Sequence, residues 1–111
     1  MSTVEEIQID IDEARSVIAH ADALNRLMKN PDFIRVIKEG FFKEEAYRLV
    51  ELKAAPQMQS KERRKGLIQA IDAIGGLQQH FNKIWVMAEQ ATSLIEQAEQ
   101  ELELMAEEGE V

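Results

Sequence analysis

The chain has 111 residues and a mass of 12.7 kDa, enough for one domain and too little for two full ones. Aromatics make up only 5%, with five Gly and two Pro, so the composition favours helices over an all-β fold, and the lack of any Cys excludes disulfides, Cys-ligated metal sites and thiol catalysis. The net charge of −8 hides three blocks, −5 over residues 1–13, +5 over 14–83 and −8 over 84–111; exposed charges reach only about 8 to 10 Å, so a partner meets each block separately.

A first helix is predicted over residues 1–29. Val4, Ile11 and Ile18 occupy heptad position a, and Ile7, Ala14, Ala21 and Met28 position d. Asn25 is the one polar a residue and a candidate register pin. The Ser2/Glu5 and Thr3/Glu6 pairs both have capping-box spacing. Ile7, Ile9 and Ile11 also alternate with Gln8, Asp10 and Asp12, which is strand periodicity, so an extended start over the first dozen residues is the open alternative.

Asn30 before Pro31 stops the first helix and supplies a cap and first-turn proline for the next. A short helical pair is predicted over 31–55. Its first member ends near Gly40. The second follows Phe41 and Phe42, places Ala46, Leu49, Val50 and Lys53 on one face, and ends before Pro56. Ser60 is the candidate cap of a long last helix over 60–108.

That last helix carries the strongest pattern in the chain. Leu67, Ile74, Phe81, Ala88, Ile95 and Leu102 fall at a; Ala70, Leu77, Ile84, Ala91, Ala98 and Met105 fall at d, without a polar intrusion. Ile71 and Trp85 at e, with Ala73, Met87 and Leu94 at g, widen the stripe and imply more than one neighbouring helix. At 1.5 Å per residue the helix would be roughly 70 Å long, against a radius of gyration of about 13 Å for a compact globule of this size. It is therefore expected either to pair with another subunit or to break at Gly75 and Gly76, whose cost in a helix interior is about 2 kcal/mol relative to two alanines. The same glycines would also offer bare backbone to Phe41, Phe42 or another chain. The expected fold is all-α: a helical hairpin or small bundle with a long coiled-coil-like C-terminal helix. Its oligomerisation surface is expected to comprise Leu67, Ile74, Leu77, Phe81, Ile84, Trp85, Ala88, Ala91, Ile95, Ala98, Leu102 and Met105.

Catalytic motifs are absent from the sequence: there is no phosphate loop, H-E-x-x-H, G-x-S-x-G or calcium-loop ladder. His20 and His80 are expected to be partly buried helix residues rather than a base or a ligand. Asp10, Asp12 and Glu13 lack the Gly turn and spaced oxygens of a calcium site and are expected to form a solvated acidic end. The pairs Glu44/Glu45 and Glu107/Glu108 point about 100° apart on a helix and are not facing carboxylates. No enzymatic activity, cofactor or metal is expected. The charge anomaly is Lys61, Arg63, Arg64 and Lys65 at the start of the last helix, where each cation opposes the helix dipole by about 0.3 to 1 kcal/mol. Intrinsic stability does not account for it, so it is the candidate anion- or partner-docking site. Few aromatics and acid-rich ends argue against nucleic acid.

The stretch LMKNPDFIRVIKEGFFKEEAYRLVELKAAPQMQS followed by AIDAIGGLQQHFNKI resembles a group of small proteins of tailed bacteriophages, often encoded in the structural and packaging gene module. The resemblance spans roughly residues 24–95, is carried most distinctively by NPDF at 30–33 and EAYRL at 45–49, and brings no functional residue with it. It implies a non-enzymatic assembly, scaffold or connector role in the virion, with the protein itself and phage structural proteins as partners. The expected setting is the bacterial host cytoplasm during infection, or the virion. The first thirteen residues, with five acids and no base, do not match a secretory signal, and no apolar run approaches the roughly 18 residues of a membrane span. Two alternatives stay open: a small acidic inhibitor of a host defence or nucleic-acid enzyme, and an oligomeric sponge for an anionic signal, with a pocket around Arg63 and Arg64.

Overall fold

A computed structural model of the chain describes residues 3–109, and every regular element among them is helical. Helix α1 runs Val4–Met28. It starts where Thr3 Oγ1 accepts the Glu6 backbone N–H at 3.1 Å, satisfying one of the donors a helix start leaves open. The Ser2/Glu5 pair lies outside the described residues. Helical periodicity overrides the alternation at the start: Ile7 and Ile11 are buried with Ala14, Ala21 and Leu24, while Ile9 faces solvent.

Asn30 Oδ1 accepts the N–H groups of both Asp32 and Phe33, at 2.9 and 3.1 Å, and Pro31 occupies the first turn. From there α2 (Pro31–Phe33), a π-helical segment (Ile34–Glu45) and α3 (Ala46–Ala54) follow without a loop. This corrects the expected stop at Gly40. The helix continues through the glycine by widening its turn. More residues per turn mean a smaller angle between neighbours, which lets the adjacent Phe41 and Phe42 share one covered side. Ala55, preceding Pro56, turns extended with ψ 136° and ends α3. A 3-10 turn (Pro56–Met58) leads to α4 (Lys61–Gly109), whose start is capped by Ser60 Oγ accepting the Arg63 N–H at 3.3 Å.

Helix α4 passes through Gly75 and Gly76 without interruption or positive φ, so of the two alternatives left open by the sequence the unbroken helix is the one observed. Neither glycine is closely packed either: a Cβ on either would meet nothing within 4 Å, so they are not a bare patch for an aromatic ring.

The single domain expected from length resolves into two compact units, Asn25–Asn82 on one hand and Met1–Leu24 with Lys83–Val111 on the other. Charge sorts between them. The second holds fourteen acids against two bases, a net −12, and is called here the acidic unit; the first holds eleven bases against seven acids, a net +4, and is called the basic unit. In the acidic unit Ile7 and Ile11 of α1 pack on Ala98 of α4, flanked by Ile95, Leu102 and Met105. In the basic unit Leu49, Leu67 and Ile74 form the centre, with Phe41, Phe42, Ala46, Leu52, Met58, Ala70 and Ile71 against them. All four phenylalanines gather in the basic unit: Phe42 and Phe33 flank Phe81 with ring centroids 6.0 and 6.1 Å away, and Phe41 lies 6.0 Å from Phe42.

Candidate functional site

In the acidic unit, α1 and α4 form a two-helix layer with unlike flanks. At about 100° per residue, Glu13 and Arg15 lie on opposite sides of the buried Ala14. On the Arg15 side the layer is bridged by an exposed ion pair, Arg15 to Glu99 at 3.9 Å. On the Glu13 side it is open, a groove of about 270 Å³ lined by Asp10, Glu13, Ala14 and Val17 of α1 and by Met87, Gln90, Ala91 and Leu94 of α4. Each helix contributes residues at i, i+3, i+4 and i+7, the spacing that a further helix reads when it lies alongside. A shallower extension of about 140 Å³ continues past Asp10 and Leu94 to Gln97, Ala98 and Glu101. The floor is apolar and the rim carries Asp10, Glu13 and Glu101. Asp12 is held elsewhere, accepting from Gln8 Nε2 at 3.3 Å and lying 3.9 Å from Arg15.

The four bases at the start of α4 divide by role. Arg63 donates to the Gln57 carbonyl and Arg64 to Gln59 Oε1, both at 2.6 Å, while Gln59 Nε2 donates to the Lys53 and Ala55 carbonyls at 3.0 and 2.9 Å. The two guanidiniums therefore tie the 3-10 turn to the helix that follows it. For these two of the four bases the dipole cost is set against a hydrogen bond, Arg63 to a turn carbonyl and Arg64 to the Gln59 side chain. Lys61 and Lys65 take part in no ion pair among the described residues. Together with Arg64, Ile68 and Gln69 they form one outward face of α4, beside an open surface depression of about 420 Å³.

The basic unit has its own open groove, about 510 Å³, lined by Val36, Ile37, Gly40, Phe41 and Glu45 of the π-helical segment and by Leu77 of α4. Its one carboxylate is already engaged. Arg48 Nε and an Arg48 terminal nitrogen donate to the two Glu45 oxygens at 3.0 and 2.5 Å, the two-pronged geometry a guanidinium favours. Those hydrogen bonds hold the Glu45 carboxyl below its usual range and raise the Arg48 guanidinium.

The apolar seam of α4 is partly covered within the chain. Leu67, Ile74, Ala91 and Ala98 are buried, and Leu77, Phe81, Ile84, Trp85, Ala88, Ile95, Leu102 and Met105 are half-buried. Of the residues expected to form an oligomerisation surface, Ile95, Ala98, Leu102 and Met105 pack with Ile7 and Ile11 of α1, and Leu67 and Ile74 pack with Leu49 of α3. Among the large apolar side chains that stay exposed are Met87 and Leu94 in the row flanking the seam, and Val36, Tyr47 and Val50. Both histidines are exposed rather than partly buried, His80 lying 6.4 Å from the Phe81 ring. The sequence reading passed over Val17, Val36 and the rim role of Asp10 and Glu13. The Glu45/Arg48 pairing could have been found from its i, i+3 spacing. Among the described residues no three His, Asp or Glu side chains come together as a metal site, and no helix is long and apolar enough to cross a membrane. No family model, curated protein or solved structure matches the chain.

Proposed function

We propose that the protein is a non-enzymatic assembly or connector component of a tailed-phage particle, acting by laying its helices against those of its partners and of further copies. The observation that carries this reading is the open groove of the acidic unit. A two-helix layer with Val17, Met87 and Leu94 along one uncovered flank is short of the third or fourth helix that completes a bundle. The resemblance of residues 24–95 to small phage proteins of the structural module supplies the context. The test is mass spectrometry of purified virions or assembly intermediates. The reading expects this polypeptide at a reproducible copy number; its absence from both would count against it.

A second reading is favoured by a different observation, the net −12 of the acidic unit, an anionic surface of the kind that imitates a phosphate backbone. In it the protein inhibits a host defence or nucleic-acid enzyme. Pull-down from infected cells separates the two: an assembly component retains capsid, portal or tail proteins, an inhibitor a host enzyme.

A further inference from the structure

We propose that the groove of the acidic unit is the seat for the outward basic face of α4, Lys61, Lys65 and Ile68, from a second copy of the chain. The proposal deepens the assembly reading and rests on it for the premise that copies associate.

Three features of the surface choose this occupant. The first is charge: the groove is rimmed by Asp10, Glu13 and Glu101, whereas Lys61 and Lys65 have no ion-pair partner among the described residues. The second is pattern. Lys61, Lys65 and Ile68 stand at i, i+4 and i+7, the same row spacing as Asp10, Ala14 and Val17 on one wall and Met87, Ala91 and Leu94 on the other. The third is chemistry: Ile68 is 45% exposed amid bases, and Met87 and Leu94 are 42% and 43% exposed beside acids, so each surface offers an apolar centre inside a charged border of opposite sign. The donor face and the groove belong to different units, so every copy carries both halves of the contact. Such a contact joins two different patches, and it closes into a ring or runs on as a chain according to the rotation between copies.

The test is charge reversal with reciprocal rescue, read by sedimentation velocity on the full chain. One variant carries Asp10→Lys and Glu13→Lys, the other Lys61→Glu and Lys65→Glu. The second pair places acids in the first turns of α4, where they complement the helix dipole, so loss of fold is not the expected cause of any change. Circular dichroism of each variant checks this. The wild-type chain is expected to associate at tens of micromolar and to shift towards monomer in about 1 M salt, where the screening length falls to about 3 Å. At moderate salt the acid-to-base variant is expected to stay monomeric or nearly so. The Lys61/Lys65 variant should do the same, and an equimolar mixture of the two should form the mixed species. A wild-type chain that stays monomeric overturns the proposal, and so does one whose groove instead binds a synthetic basic amphipathic peptide while self-association is absent. Association that persists unchanged in both variants also overturns this contact. That last result leaves the assembly reading standing, because virion mass spectrometry tests that reading independently.

Discussion

The carbonyl oxygen of Arg35 lies 3.0 Å from the point where a Cβ on Gly40 would sit. That approach belongs to the widened turn of the π-helical segment, in which the carbonyl five residues back stands under residue 40. An alanine there gains helix propensity but must push a backbone carbonyl that its own helix holds in place. Gly75 and Gly76 face open space in regular α-helix, so alanine at either gains propensity alone. Gly75→Ala and Gly76→Ala are expected to stabilise by about 0.5 to 1 kcal/mol each. Gly40→Ala should destabilise by about 1 kcal/mol. Urea unfolding of the three variants checks the opposite signs.

Asn30 does the work of two donors' partners at once, accepting from the N–H groups of Asp32 and Phe33. Asn30→Ala leaves both without that acceptor and is expected to cost about 1 kcal/mol. Asn30→Asp keeps the acceptor oxygens and should be close to neutral. Thermal melts of the two variants distinguish a lost cap from a lost side chain.

These two positions also mark what the sequence made legible. The cap was plain from Asn30 before Pro31, because capping depends on a few adjacent residues. So was the twelve-position stripe of α4, since burial at 3.6-residue spacing leaves a regular trace. Gly40 misled because a glycine between apolar residues has the same appearance whether it ends a helix or relieves a crowded wide turn. Gly75 and Gly76 left a break and a continuous helix equally open for a related reason: helix propensity is a local cost of about 1 kcal/mol each, and tertiary packing of the flanking seam outweighs it. The partner of the seam was not legible at all. Periodicity says that a face must be covered, but the covering residues, Ile7 and Ile11 against Ala98, lie more than eighty positions apart in the chain. Nor did charge counting separate the bases that tie a turn, Arg63 and Arg64, from those left facing out, Lys61 and Lys65.

The Glu45/Arg48 pair gives the chain a pH-dependent contact with a fixed sign. Arg48 donates to Glu45 in the folded state and lowers its pKa below the ordinary 4.5. Because the folded value is the lower one, the contribution is fully present above the ordinary value and is lost as pH falls through the lowered folded value. Arg48 is solvent-exposed and Glu45 half-exposed at the edge of a groove, so solvent screens the pair and the effect on stability is small. The cleaner readout is an NMR titration of the Glu45 side-chain carbonyl: a midpoint lowered in the wild-type chain, and raised again in Arg48→Ala. A Glu45 midpoint unchanged by Arg48→Ala would mean the pair does not form in solution.

Ile11, at 2% exposure, is the most deeply enclosed large side chain among the described residues, and Leu49 is one of the three buried residues at the centre of the basic unit. Truncating Ile11 to alanine removes three buried carbons from a small two-helix core in which Ile7, Ala98, Ile95, Leu102 and Met105 are the remaining members, too few to close over the space. The expected loss is about 3 kcal/mol. The two cores share no buried residue, so the damage should be local. Hydrogen exchange is expected to accelerate in Ile11→Ala along the first two turns of α1 and around Ala98, with amides near Leu49 and Leu67 close to their wild-type protection. Leu49→Ala should give the converse pattern. Uniform loss of protection in both variants would instead mean that the two units open as one cooperative structure, and the sorting of charge between them would then have no counterpart in their stability.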